Sequence, residues 1–178
     1  MRVVGGKYRG AKLFEFDGLF IRPTSDMTKE SLFNILREKT VGAAFLDLFA
    51  GTGSIGIEAL SRGASEVIFT DSNIKSVEII NKNLNKLKLT AKVLKTDAID
   101  YLSSTDKKFD IIFMDPPYKT DLGFKALEKI AEKNVLKEDG LIIFESEEKK
   151  DAVYGCFTKI DERKYGRAVL SFFNKGVV

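Results

Sequence analysis

The chain has 178 residues, 44% of them hydrophobic and 31% charged, with a formal net charge of +3. This is the make-up of a globular protein of one α/β domain, long enough to bury a core; fibrous and disordered classes are excluded, and no apolar run approaches the roughly 20 residues of a membrane span. Histidine is absent and Cys156 is the single cysteine, which removes Ser-His-Asp and Cys-His catalysis, His-ligated zinc and an internal disulfide, so no metal site is expected. Met1-Arg2-Val3-Val4-Gly5-Gly6 has no apolar signal-peptide core, and a cytoplasmic location is expected.

Val3-Val4 and Lys12-Leu13-Phe14-Glu15-Phe16 read as short strands around Lys7-Tyr8-Arg9-Gly10, a β-hairpin extension over residues 1–20. Arg2, Lys7, Arg9 and Lys12 carry positive charge there with no acid before position 13. Cations meet phosphates and a ring such as Tyr8 stacks on bases, so the tip is a candidate nucleic-acid surface. The capping-rich turn Arg22-Pro23-Thr24-Ser25-Asp26 leads into a helix over 28–39, whose Leu32, Phe33, Ile35 and Leu36 face a core.

The rest of the chain, residues 21–178, alternates strand and helix. Phe45-Leu46-Asp47-Leu48 is a strand, Phe49-Ala50-Gly51-Thr52-Gly53 a glycine-dense turn, and Ile55, Ile57, Ala59 and Leu60 have helical spacing before Gly63. Such a turn lets backbone N–H groups approach a nucleotide-like ligand at a helix N-terminus. Gly51-x-Gly53-x-x-Gly56, with Asp71 about 20 residues on, satisfies the dinucleotide fingerprint, so a nicotinamide enzyme stays open at this point. Strands over 66–71, 91–94, 109–114 and 140–144 follow, with helices over 73–87 and 122–133 and a closing antiparallel hairpin around Tyr165-Gly166. The helix over 73–87 has apolar residues at threes and fours and an outer face of Lys75, Lys82, Lys86 and Lys88. Phe109 to Met114 is almost continuously apolar, as in a parallel strand buried on both faces.

Asp47, Asp71, Asp97 and Asp115 all fall at or near strand ends, the edge of a doubly wound sheet where ligands bind. Asp47, four residues ahead of Gly51, together with Asp115-Pro116-Pro117-Tyr118, resembles the class I S-adenosylmethionine-dependent methyltransferases that modify exocyclic amines of nucleobases. On that resemblance the fold is α/β, Rossmann-like and doubly wound, with a mostly parallel seven-stranded sheet. Asp71 and Ser72 would hold the ribose, Asp97 and Ala98 the adenine edge, and Asp47 with Phe49, Ala50, Gly51, Thr52 and Gly53 the methionine moiety. Asp115 and the Pro116 carbonyl would accept the two hydrogens of the base amine, while Pro117 fixes the loop and Tyr118 stacks on the ring. The methyl donor is S-adenosylmethionine and the product S-adenosylhomocysteine.

The motif does not choose among adenine-N6, cytosine-N4 and guanine-N2 chemistry. Arg2-Val3-Val4-Gly5-Gly6-Lys7-Tyr8-Arg9-Gly10, Arg22-Pro23-Thr24-Ser25-Asp26, Lys29-Glu30-Ser31-Leu32-Phe33-Asn34 and Asp47-Leu48-Phe49-Ala50-Gly51-Thr52-Gly53-Ser54 resemble the bacterial RsmD family. That resemblance implies methylation of guanine N2 in 16S rRNA, on an assembling or assembled 30S particle, by an enzyme expected to be a monomer. Arg2, Lys7, Tyr8, Arg9, Lys12, Arg22 and Lys29 would then contact RNA. The chain departs from the family where Met27 and Lys29 stand in place of frequent arginines and Asp71 in place of a frequent glutamate.

Overall fold

In the computed structural model, residues 1–16, 25–117 and 120–176 are described; Arg22, Tyr118 and the proposed boundary at 20/21 lie outside them. The element order begins with α1 (Asp26–Leu36), a short 3-10 turn (Arg37–Thr40), β1 (Ala44–Asp47), α2 (Ser54–Ser61), β2 (Glu66–Asp71), α3 (Ile74–Leu87) and β3 (Lys92–Lys95). It continues with α4 (Ala98–Ser104), β4 (Phe109–Met114), α5 (Leu122–Lys133), β5 (Leu136–Ser146), β6 (Val153–Tyr154), β7 (Phe157–Tyr165) and β8 (Ala168–Lys175).

The described strands make one eight-stranded sheet in the order β3-β2-β1-β4-β5-β8-β7-β6. β1 pairs in parallel with β2 on one side and β4 on the other, so the order reverses beside it, which is where a doubly wound sheet opens a crevice. Its residues explain the placement: Phe45 and Leu46 are fully buried on opposite faces, Phe45 with α1, α2 and α3, Leu46 with α4 and α5. The far edge turns antiparallel through β5–β8 and the β7–β8 hairpin, whose turn places Gly166 at φ +61. The sheet has one strand more than the expected seven. The addition is β6, two residues pairing with Thr158 and Phe157, too short to leave a period in the sequence.

α1 starts where Ser25 caps it, the Ser25 Oγ accepting from the Thr28 N–H at 3.1 Å, and it ends three residues before the expected position because the chain tightens into the 3-10 turn. The glycine pattern of α2 has a packing cause as well. A Cβ at Gly56 would stand 2.2 Å from Phe69 Cε1 and 2.9 Å from Val67 Cγ1, so α2 lies directly on β2. Gly56→Ala is expected to destabilise the fold by roughly 1–3 kcal/mol through overpacking, seen as a lower urea midpoint with unchanged slope; an unchanged midpoint would show that α2 has room to shift.

The N-terminal segment is a hairpin-like loop joined by one antiparallel bridge, Arg2 to Lys12; the two short strands expected at Val3-Val4 and Lys12 to Phe16 do not form among the described residues. Its backbone is held elsewhere: Lys7 N–H donates to Ser61 O at 2.8 Å, Val4 N–H to Glu58 Oε2 at 2.8 Å, and Ser61 Oγ–H to Gly5 O at 2.6 Å. Gly6, at φ +71, lies so close to Ser61 O that a Cβ would approach it to 1.9 Å. With Val3 and Leu13 buried in the main core, the loop is docked on the C-terminal end of α2.

Candidate active site

The loop after β1 is shaped by the neighbouring strands. Leu48 N–H donates to Phe113 O at 3.0 Å, Ala50 N–H to Thr70 O at 3.0 Å, and Thr70 Oγ–H to Leu48 O at 2.5 Å. Gly51 and Gly53 then turn with positive φ, +54 and +75, and the Gly53 N–H closes the turn on Ala50 O at 2.7 Å. α2 starts at Gly53, which has no side chain to cap it. Asp47 takes over that task from the end of β1: its Oδ2 accepts from the Gly56 N–H at 2.9 Å, satisfying a first-turn donor.

Asp71 ties the same loop to β2, accepting from Gly51 N–H at 2.8 Å through Oδ2 and from Asn73 N–H at 2.8 Å through Oδ1. Asn73 in turn caps α3, with Oδ1 accepting from Lys75 N–H at 3.0 Å. Asp97 caps α4 by accepting from Ile99 N–H at 2.8 Å and stays exposed. Each of these acids is therefore an element of local structure as well as a candidate ligand. Asp115 follows β4 with Pro116 and Pro117 behind it.

These groups surround a cavity of about 570 Å3. Asp47, Phe49, Ala50, Gly51, Thr52, Asp71, Ser72, Asp97, Ala98, Asp115, Pro116 and Pro117, expected from the sequence, all line it. Gly53 does not; it forms the turn behind the wall. Four further lining residues carry weak signals in the sequence: Asn73 as a capping residue before a helix, Thr96 before the Asp97 cap, and Ile55 and Leu122 as apolar residues at helix starts.

The electrostatics follow from burial. Asp47 is 1% exposed, and burial pushes its carboxyl from 3.8 up to about 7, with the Gly56 N–H opposing and the Asp71 charge adding. Asp115 is held well above the usual carboxylate range by burial first, then by Glu145 and Asp47. The cavity thus gathers four carboxyl groups, Asp47, Asp71, Asp97 and Asp115, with no lysine or arginine among its lining residues, and it suits a ligand that brings positive charge and hydrogen-bond donors.

Fit to an adenosyl-methionine group can be judged from the wall itself. An added Cβ at Gly51 would meet no atom within 4 Å, so the space the missing side chain leaves is the cavity, open to a ligand against bare backbone. Asp71 at the end of β2 and Asp97 at the end of β3 stand in strand order along that wall. With Asp47 at the end of β1 they offer an elongated polar ligand three acids in strand order with backbone between.

The proposed RNA contacts divide. Arg2, Lys7, Arg9 and Lys12 are exposed on the N-terminal loop, while Tyr8 is half-buried against the core with the Lys7 ammonium 5.5 Å from its ring centroid. Lys29 is a correction. It is fully buried, its Nζ donates to Arg2 O at 2.6 Å, and burial lowers its pKa against the pull of Glu58. It supports the Arg2 segment from beneath and cannot touch RNA. Unforeseen is the neighbour of the loop: Lys86 of α3 donates to Lys12 O at 2.7 Å and lies 4.8 Å from the ring centroid of the exposed Phe14.

The sequence profile of a family described as conserved hypothetical protein 95 matches residues 1–174. The chain is 37% identical to ribosomal RNA small subunit methyltransferase D of Haemophilus influenzae, over 86% of this chain and 82% of that protein. The chain belongs to the RsmD family. Its fold agrees with that of Escherichia coli yhhF at a TM-score of 0.90 and 32% identity, covering 100% of this chain and 99% of the other. The same fold recurs, at 23% identity and a TM-score of 0.69, in the Thermus thermophilus 16S rRNA N2 G1207 methyltransferase RsmC, whose structure holds AdoMet and guanosine; 90% of this chain and 45% of that one are covered.

Proposed function

We propose that this RsmD-family chain transfers a methyl group from S-adenosylmethionine to the N2 amine of a guanine in 16S rRNA. It acts in the cytoplasm as a monomer, without a metal, on an assembling or assembled small subunit. The observation that carries this reading is the placement of Asp115, Pro116 and Pro117 in the wall of a cavity already lined by Asp47, Asp71 and Asp97: the amine-binding motif and the cofactor loop open into one space. A ribosomal RNA substrate agrees with the Haemophilus relative, and guanine with the guanosine held by RsmC.

When bound, S-adenosylmethionine would supply an electrophilic methyl group on a sulfonium, its S–C bond breaking as the N–C bond forms so that neutral S-adenosylhomocysteine leaves. Asp71 would take the ribose hydroxyls, Asp97 and Ala98 the adenine edge, and Asp47 the ammonium of the methionine moiety. Asp115 accepts one hydrogen of the base amine and the Pro116 carbonyl the other, which favours a tetrahedral nitrogen and aims its lone pair at the methyl carbon. As the N–C bond forms, the nitrogen becomes cationic and must release a proton. A carboxylate whose proton affinity is already raised is the nearby acceptor. Tyr118, outside the described residues, is assigned the stacking role.

Because Asp115 must be ionised to accept the amine hydrogen, activity should rise with pH through a limb displaced above the usual carboxylate range. A single-turnover pH profile whose acid limb sits near that of an ordinary aspartate would contradict the assignment. Lys7, Arg9 and Lys12, exposed on the docked loop, would contact phosphate. Replacing all three with glutamate should weaken RNA binding and flatten its salt dependence by about one in slope per lost cation, with cofactor affinity unchanged. Equal RNA affinity for the triple variant and the wild type would move the RNA surface elsewhere. The substrate class is tested by presenting labelled methyl donor with small subunits from a strain lacking this methyltransferase, large subunits and DNA; label is expected in small-subunit RNA alone.

A further inference from the structure

The lysines on the outer face of α3 have no part in the cofactor cavity or in the core. Lys75, Lys82 and Lys86 stand at i, i+7 and i+11, so they form one line along the helix about 16 Å long. All three are exposed, as is Lys88 at the C-terminal cap. Glu78, the one acid of α3, falls to the side of this line. Among the described residues none of the four lysines forms an ion pair, whereas on α5 Lys125 pairs with Asp121 and Lys129 with Glu132. Cations in a row with no carboxylates to neutralise them suit a polyanion, because each phosphate they meet releases a counterion.

Both ends of the line meet something functional. At the N-terminal end, Asn73 and Ser76 flank Lys75 in the sequence and line the cofactor cavity. At the C-terminal end, α3 carries the docked N-terminal loop. Lys86 Nζ donates to Lys12 O at 2.7 Å. Asn83, fully buried, grips the backbone of Phe14: its Oδ1 accepts from Phe14 N–H at 2.7 Å and its Nδ2 donates to Phe14 O at 3.2 Å. Phe14 is thereby fixed with its ring 48% exposed and the Lys86 ammonium 4.8 Å from the ring centroid. An apolar ring pinned at the surface among cations has the make-up of a platform for an unpaired base.

We propose that the outer face of α3 extends the RNA surface of the docked loop to the mouth of the cavity. Lys75, Lys82 and Lys86 contact phosphates of one rRNA strand, and Phe14 stacks on an unpaired base where loop and helix meet. Asn83 and Lys86 tie the loop to α3, so a strand held by both lies at a fixed distance from the cavity that Asn73 and Ser76 line. The identity of the partner as rRNA rests on the methyltransferase reading above; the surface itself is tested by binding.

The test measures the affinity of the whole protein for 16S rRNA, free and in small subunits from a strain lacking this methyltransferase, over a series of salt concentrations. Changing Lys75, Lys82 and Lys86 together to glutamine is expected to weaken binding by about tenfold or more near physiological salt and to reduce the slope of log affinity against log salt by about two. The thermal midpoint and the affinity for S-adenosylhomocysteine should stay at the wild-type values, and the triple arginine variant should keep the wild-type slope. Phe14→Ala is expected to weaken binding by about fivefold or more with the slope unchanged, as loss of stacking requires. Changing Lys125, Lys129 and Lys133 to glutamine removes the same charge from α5, on the other face of the sheet, and should leave affinity and slope as they were. Wild-type affinity and slope in the α3 glutamine variant would overturn the proposal, and so would equal losses from the α3 and α5 variants, which would reduce the effect to net charge. A wild type that binds with the α3-dependent slope yet transfers no methyl would overturn the methyltransferase reading alone and leave this surface standing.

Discussion

Replacing Asp115 with alanine is expected to lower methyl transfer by about a thousandfold or more while leaving the affinity for S-adenosylhomocysteine within a few-fold of the wild type. The asymmetry follows from position. Asp115 stands at the end of β4, beyond the register that joins Asp47 to Phe113, and the cofactor's contacts are assigned to β1, β2 and β3. Removing the carboxylate takes away the acceptor that orients the amine and the group that receives its proton. It also relieves the crowding of Asp115 with Glu145 and Asp47, so the variant should fold at least as well as the wild type. Calorimetric titration with the product, paired with single-turnover transfer, separates the two effects. Loss of cofactor affinity with activity retained would reverse the roles assigned to the two sides of the cavity.

Asp47→Asn is expected to move stability and function in opposite directions. The folded protein holds the Asp47 proton more tightly than the unfolded chain, with a carboxyl raised from 3.8 to about 7. The stabilisation is therefore complete below about pH 4 and is lost as pH rises through about 7, where the folded state must carry a buried charge. That gap amounts to on the order of 4 kcal/mol at pH 8. Asparagine keeps an oxygen for the Gly56 N–H and removes the charge, so the ligand-free variant should melt several degrees above the wild type at pH 8 and converge with it toward pH 4. The same substitution removes the anion assigned to the cofactor's ammonium and should cost roughly tenfold or more in affinity. A variant that is less stable at pH 8, or that binds cofactor as tightly as the wild type, would contradict this account of Asp47.

The double duty of Asp47 marks the limit of what the sequence discloses. An acid ahead of Gly51-x-Gly53 signals a ligand, but that it caps α2 depends on β1 ending within reach of Gly56 N–H, a property of three dimensions. Lys29 went the other way. It shares a helical face with Leu32, Phe33 and Leu36, all buried, so the spacing that predicted the core also predicted its burial. Its charge argued for the surface, and the Arg2 carbonyl supplied the partner that makes burial tolerable. The α4 helix, Ala98–Ser104, is too short to establish a period, and only the Asp97 cap announced it. By contrast β1, α3, β4 and α5 were legible because each is buried along a regular stripe or through both faces, where the hydrophobic pattern leaves one solution. Asp115 and Glu145 could each be read as a strand-end acid, but their adjacency depends on the β4–β5 register, which no spacing in the chain encodes.

The central claim, that Asp115-Pro116-Pro117 delivers a guanine amine to a bound methyl donor, is tested most directly by identifying the modified nucleoside. Small subunits from a strain lacking the enzyme would be incubated with the wild-type protein and labelled S-adenosylmethionine, and their 16S rRNA digested and separated. The account predicts label in N2-methylguanosine and in no other nucleoside, at a level that disappears with Asp115→Ala. Label in N6-methyladenosine, or in N2-methylguanosine at an undiminished level with the variant, would contradict it.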